Sequence, residues 1–494
     1  MTSETTGPVD HPGGAIRRAL LNMMVSRLGG MVIMIIGFTV LARLLVPTDF
    51  GLFAMSMAIY GVLRAIAEFG MLQHAVRTKE AVPPERMALA ASLSFALSAL
   101  GAAFLTGGAL LLSPTFLPEL APKLALPLAL SLLIGPLILQ REAYLQRAVE
   151  FGPAARAGLA GAAADVAIAI SLALAGFGVL ALTWGFFAGV AVRAIWLMAT
   201  TEGSRVVGPK LSGARELTRF GRAFTFIGLL PKLADLLLIW ALGAAAGAAT
   251  VGLYNRASRI RQILDETLLE GARPVMLPAI AAALRAGTDP AEVVARKLEH
   301  LTPICWAGFA AIILLADPLV HALLGPGWDE TITAVRILAL GGLAFPFTKM
   351  SLKLFTALDR LPDFARIQTW SLAVRTGLGA AMAFVSLEAF CAALAFSAWL
   401  KAAMIVRWEW RMLDGMGAAQ LRPLWQAALA TAGTLVGPAL LLWATSLSPW
   451  ALLALAVPSG LAGWFVMLRL TKNPLGAEIG ALLGRLSGRL RVGA

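Results

Sequence analysis

No charged residue falls between Arg422 and Arg469. A bilayer-spanning helix needs about 20 mostly apolar residues, because hydrocarbon offers no water to an open backbone. This stretch holds two such helices in succession, and the pattern recurs along the whole chain. Spans are expected near 20–42, 50–73, 87–112, 123–140, 153–175, 178–200, 218–242, 249–280, 298–316, 331–357, 365–385, 388–406, 424–445 and 449–470. Composition agrees: 14% of residues are charged and mean hydropathy is +0.79, against roughly 25% charged in ordinary globular chains. The expected fold class is an all-α polytopic membrane protein of about 14 transmembrane helices.

Loop charge sets the orientation. With the N-terminus in the cytoplasm, about 26 Lys and Arg residues fall in inside loops and tails, while the opposite loops hold only Arg43 and Lys123. Both termini are therefore expected on the cytoplasmic side of the membrane. Arg17-Arg18 precede an apolar run that is too long for a signal peptide and lacks a small-residue cleavage site, so it is read as the first permanent helix. The net charge of +13 goes into this topology, and no nucleic-acid partner is expected.

Cofactor chemistry finds no foothold. Cys305 and Cys391 lie in expected spans without redox or metal spacing, and His11, His74, His300 and His321 are scattered. No sequence reads G-x-x-x-x-G-K-[ST], so ATP hydrolysis by this chain is not expected. No cofactor or metal is expected.

A motif occurs twice. Phe50-Gly51-Leu52-Phe53 leads to Glu68-Phe69-Gly70, and Val251-Gly252-Leu253-Tyr254 leads to Leu269-Glu270-Gly271, with the same glycine-to-glycine spacing. A duplicated helical half would explain it, giving two pseudo-symmetric six-helix lobes plus two C-terminal helices. The boundaries expected are a cytoplasmic tail 1–19, an N-lobe 20–210 (spans 1–6), a C-lobe 211–415 (spans 7–12), spans 13–14 over 416–472, and a basic cytoplasmic tail 473–494.

Charges inside spans are the informative residues, since each costs roughly 2.5–3.5 kcal/mol at the bilayer centre on insertion scales. Ser56, Tyr60, Arg64 and Glu68 recur every four residues; Arg256, Arg259, Gln262, Glu266, Glu270 and Arg273 step by three or four. Each set forms one polar line along a helix, which lipid would not tolerate, so the lines are expected to converge on a cationic cavity. Lys353, Lys401, Arg222 and Arg273 lie near cytoplasmic ends and are read as snorkelling. Arg64 and Glu68 admit two readings, mutual neutralisation and substrate contact. Asp235 likewise either pairs with Lys232 or couples an ion. Gly325-Pro-Gly-Trp328 reads as an interfacial turn with a Trp anchor, and Gly29-Gly30 and Gly158/Gly161 as close-packing positions.

Further motifs carry a family likeness. Leu41-Ala-Arg-Leu-Leu-Val-Pro-Thr-Asp-Phe-Gly-Leu52, Leu145-Gln-Arg-Ala-Val-Glu-Phe151, Gly176-Phe-Gly-Val-Leu-Ala-Leu182, Leu242-Gly243 with Gly252-Leu-Tyr-Asn-Arg-Ala-Ser-Arg259, and Gly325-Pro-Gly-Trp328 occur in this order. In these the chain resembles the Wzx-type oligosaccharide flippases, the polysaccharide-transporter branch of the multidrug/oligosaccharidyl-lipid/polysaccharide (MOP) exporter superfamily. The likeness runs from about residue 20 to 360. It breaks at Ile239-Trp240-Ala241, where the family shows I-G-R, so no role for that arginine carries over.

The resemblance implies that the chain flips undecaprenyl-diphosphate-linked oligosaccharide, by alternating access of two lobes around the cationic cavity, without covalent chemistry. Arginine suits the diphosphate because its planar donor fork matches phosphate oxygens. The candidate substrate-binding residues are Arg27, Arg64, Arg256, Arg259 and Lys349; the candidates for coupling to a proton or sodium gradient are Asp165, Asp235 and Glu68. Membrane lipids, a polysaccharide polymerase and a chain-length regulator are the expected partners. The rival readings are a lipid II flippase of the same superfamily, a cation-coupled drug exporter, which would want an acidic cavity, and a membrane polysaccharide polymerase or ligase. The last normally needs a large outside loop, and here such loops reach only about 10–15 residues.

Overall fold

The computed structural model describes residues 29–68, 84–112, 121–147, 150–201, 214–349, 351–413, 416–481 and 484. Arg27 and the Phe69-Gly70 end of the first motif lie outside the described residues. Among those described, no strand occurs.

The helices are α1 (Gly29–Leu44), α2 (Pro47–Glu68), α3 (Pro84–Leu112), α4 (Ala121–Arg147), α5 (Phe151–Leu174), α6 (Val179–Thr200), α7 (Ala214–Arg285), α8 (Pro290–Leu314), α9 (Ala316–Leu323), α10 (Glu330–Gly342), α11 (Phe345–Thr348), α12 (Ser351–Ala357), α13 (Leu361–Ala383), α14 (Leu387–Met412), α15 (Met416–Ala444), α16 (Pro449–Leu470) and α17 (474–481). Nine helices among the described residues are long and apolar enough to cross a membrane, or ten if α8 and α9, bent by 75°, form one span. The sequence reading counts more for physical reasons. The stretch Gly228–Glu266 passes as one helix although Gly247 (φ 84°, ψ 169°) interrupts it between two expected spans. The expected single span 331–357 is broken into α10, α11 and α12 around Gly341-Gly342 and Pro346, where proline removes a helix hydrogen bond.

The chain divides into two compact units, Met1–Ile239 and Trp240–Ala494. In the first, Tyr60, Ala102, Leu105, Ala125, Leu128, Ala129 and Leu132 join α2, α3 and α4 in one buried cluster. Helices α5 and α6 approach backbone to backbone: a Cβ on Gly161 would lie 2.8 Å from the Gly189 carbonyl oxygen, so Gly161 packs as the sequence suggests. Gly158 and Gly30 instead face open space. The Gly176-Phe-Gly178 motif is the turn into α6, with φ of 82° and 55° at its glycines, a backbone that side chains disfavour.

In the second unit, α8 is started by Asp289, whose side chain accepts the Ala291 N–H at 2.9 Å ahead of Pro290. Pro303 within α8 has no N–H to give the Glu299 carbonyl, and Asn473 Nδ2 donates to that oxygen at 3.3 Å instead. Trp464 Nε1 donates to the Pro303 carbonyl at 3.1 Å. These two bonds dock the end of α16 on α8. Gly325 and Gly327 (φ 88° and 87°) build the turn after α9. Trp328 in that turn is only 2% exposed, so it packs within the unit rather than standing out as an interfacial anchor. His321 spans the turn, bonding Asp317 Oδ1 at 3.0 Å and Asp329 Oδ1 at 3.1 Å.

Candidate functional site

The second helix presents its polar line as its spacing requires. Ser56 turns back, donating to the Leu52 carbonyl at 2.8 Å, whereas Tyr60, Arg64 and Glu68 line a cavity of about 70 Å³ in the first unit. Helix α3 adds Ser94 and Ser98, α4 adds Leu132, Gly135, Pro136 and Glu142, and α6 adds Arg193. Arg64 Nε donates to Glu68 Oε1 at 2.7 Å, and Arg193 Nη2 donates to Glu142 Oε1. Tyr60 is buried and meets Phe186 edge to face at 5.2 Å. Ser94 donates to the Ala67 carbonyl at 2.5 Å, while the buried Ser98 hydroxyl and Arg193 Nε have no hydrogen-bond partner in the protein. Glu142 escaped the sequence reading because the fourth span was expected to end at 140; the helix continues to Arg147 and brings Glu142 to Arg193. The cation at 193, inside the expected sixth span, was the available signal, since an arginine in a span calls for a partner.

Asp165 lies half-buried on α5 against the glycine face of α6: a Cβ on Gly185 would sit 3.0 Å from its Oδ1, and one on Gly189 2.9 Å from its Cβ. Asp235 is half-buried on α7 in the first unit.

The second unit carries the remaining cations. Arg256 Nη2 donates to Asn255 Oδ1 at 2.9 Å. Arg259 Nη1 reaches Gln262 Oε1 at 3.3 Å and Glu266 Oε1 at 3.2 Å, a network along one helix face. Lys349, at the extended residue after α11, pairs with Asp265 at 3.2 Å and lies 4.6 Å from the centre of the Phe345 ring. Arg261 approaches the same ring at 5.3 Å. Sequence reasoning assigned no partner to Lys349, because Asp265 stands 84 positions away. Lys401, read as snorkelling, donates to Gln368 Oε1 at 2.6 Å. Lys297, which falls just outside the expected span 298–316, is instead 4% exposed within the second unit, beside Glu409. No group of three or more His, Cys, Asp or Glu residues fit to hold a metal occurs among the described residues.

The fold is shared with solved membrane proteins. It matches a lipid II flippase MurJ in an inward closed conformation with a TM-score of 0.73 and 11% identity, over 92% of this chain and 99% of that one. It also matches a multidrug resistance MATE family transporter of the MOP superfamily, inward-facing, with a TM-score of 0.60 and 16% identity, over 79% of this chain and 95% of that one. The outward-facing form of such a transporter matches with a TM-score of 0.52 and 17% identity, over 83% and 97%. A search of curated proteins finds no match. Residues 40–333 match the family described as "Polysaccharide biosynthesis protein", and the chain belongs to that family.

Proposed function

We propose that this multi-pass membrane protein flips undecaprenyl-diphosphate-linked oligosaccharide units across the bacterial inner membrane, for the synthesis of exopolysaccharide, lipopolysaccharide or capsule. The observation that carries the reading is a polysaccharide-biosynthesis family membership over residues 40–333 in a chain of membrane-crossing helices with guanidinium groups set along them. Arg64 in the first unit, with Arg256, Arg259 and Lys349 in the second, supplies donors for the diphosphate. Arg27 belongs to the same proposed set. The isoprenoid stays in the lipid and the headgroup crosses by alternating access, with no bond made or broken. A lipid II headgroup is the second reading, because the MurJ likeness extends over 92% of the chain; at 11% identity that likeness speaks for the fold. A polymerase and a chain-length regulator are the proposed protein partners.

The direct test is transport of lipid-linked oligosaccharide by purified protein in vesicles. Acidic side chains held in spans are costly and generally functional, so Asp165, Asp235 and Glu68 are proposed to couple transport to a proton or sodium gradient. Imposing one of the two gradients is expected to accelerate transport, and Asp165→Asn or Asp235→Asn to remove the acceleration. Transport indifferent to both gradients would rule out coupling, and no transport of either lipid-linked oligosaccharide or lipid II would rule out the function.

Orientation has its own test. Reporter fusions after Ser204, Gly287 and Gly415 are expected to give cytoplasmic signals, and fusions after Ser113 and Gly327 periplasmic ones. A periplasmic signal at Gly287 would break the proposed span parity and with it the cytoplasmic termini.

A further inference from the structure

We infer that Arg261 joins Lys349 in holding the substrate's diphosphate in the second unit, and that Asp265 gates this site: its carboxylate engages Lys349 and is displaced by the incoming anion. The inference rests on the flippase reading above. It adds a binding residue, Arg261, and a residue that sets affinity, Asp265.

The backbone is the first ground. The expected single span 331–357 is interrupted after Gly342 and again at Lys349, whose φ of −73° and ψ of 142° are extended. Two indoles fasten the first break. Trp399 Nε1 donates to the Leu340 carbonyl at 3.0 Å, and Trp306 Nε1 to the Leu343 carbonyl at 2.9 Å. Non-helical backbone at membrane depth is tolerated where it is buried in protein or lines a watery cavity. In transporters such breaks commonly frame a binding site.

The second ground is Arg261. It lies within the expected span 249–280, half-buried on α7. Its guanidinium stands 5.3 Å from the centre of the half-buried Phe345 ring, which is itself held edge to face against Phe309 at 5.4 Å. It makes no hydrogen bond or ion pair with any described residue. A guanidinium in a span is costly, and attraction to a ring uses none of its five N–H donors. The planar fork is therefore available to phosphate oxygens. Asp265, one turn further along the same helix, turns to Lys349 instead.

The third ground is the looseness of that pair. Lys349 Nζ donates to Asp265 Oδ2 at 3.3 Å, longer than the roughly 2.7–2.9 Å of a strong charge-assisted bond. The bond uses one of the ammonium's three donors. The Lys349 side chain is 32% exposed, so a solute can reach it. Lys349 and Arg261 thus stand against one ring, with a single carboxylate between two cations. A diphosphate offers the same kind of acceptor oxygen with more negative charge. It can take Asp265's place on Lys349 and engage Arg261 as well.

The test measures the affinity of purified full-length protein for undecaprenyl diphosphate bearing no sugar. Arg261→Gln is expected to bind this lipid about tenfold more weakly, the effect of one charge-assisted hydrogen bond. Asp265→Asn is expected to bind it about tenfold more tightly, because no carboxylate then competes for Lys349 or repels the anion. A merely structural Lys349–Asp265 tie predicts something else: a lower melting temperature with affinity unchanged or reduced. Should Arg261→Gln not fold, Asp265→Asn, which keeps the side chain's shape, decides the matter alone. Unchanged affinity in Arg261→Gln, or no gain in Asp265→Asn, overturns the subsite and leaves the flippase reading standing. Failure of the unmodified protein to bind the lipid at all overturns the flippase reading itself.

Discussion

Replacing either Lys297 or Glu409 by Ala is expected to destabilise the second unit by about 3–5 kcal/mol, the cost of stranding one charge of a buried pair. The side chains are 4% and 1% exposed, with Nζ and Oε1 3.8 Å apart. Neither of those two atoms makes a hydrogen bond. Glu409 is steadied on its other oxygen, where Gln420 Nε2 donates at 3.3 Å, and Gln420 in turn accepts from Trp410 Nε1 at 3.0 Å. The pair thus ties α8 to α14, and the amide brings in α15. A pair this dry and this imperfectly bonded recovers little of its desolvation cost, so the double replacement Lys297→Met/Glu409→Leu should melt near the unmodified protein or above it. Thermal unfolding of the detergent-solubilised protein measures both effects. Single variants that melt like the parent would show that the two charges contribute no mutual stabilisation.

Lys297 also marks where sequence reading stops. Apolar runs locate membrane helices well, because hydropathy is the property that inserts them: the last span was expected at 449–470 and the helix is Pro449–Leu470. Hydropathy reports the ends poorly, since a helix keeps its hydrogen bonds after its apolar residues run out. The expected ninth span began at 298, yet α8 begins at Pro290, and the eight earlier residues carry Lys297 into the fold. The Asp289-Pro290 cap was the sequence signal that could have moved this boundary. At the fourth span the same error at the other end hid Glu142. Single-helix stripes such as Tyr60-Arg64-Glu68 were legible from spacing alone, because period and face are local properties. Partners on different helices were not. Nothing in the local pattern around Asp265 names Lys349, and nothing around Arg193 names Glu142.

Arg64→Ala and Arg259→Ala are each expected to lower glycan export about a hundredfold at unchanged membrane level, the value of a bidentate charge-assisted contact to phosphate. Both arginines have a protein partner, Glu68 at 2.7 Å and Glu266 at 3.2 Å, which makes a scaffold role the competing account. Exposure separates the two. The Arg64–Glu68 side chains are 56% and 41% exposed and those of Arg259–Glu266 31% and 55%, and pairs open to this degree contribute about 0–1 kcal/mol to stability. Loss of export from either variant therefore cannot be assigned to unfolding if melting is unchanged. Lys at either position should restore only part of the activity, since it brings charge without the planar fork. A scaffold pair predicts the opposite pattern for the Arg64→Ala/Glu68→Ala double variant: with both charges gone, stability and export return together. A phosphate contact predicts that the double variant stays as inactive as Arg64→Ala, because the donor is still missing. Normal export by both single variants, or recovery by the double, would make these arginines part of the scaffold and move the search for the diphosphate donors to Arg256 and Lys349.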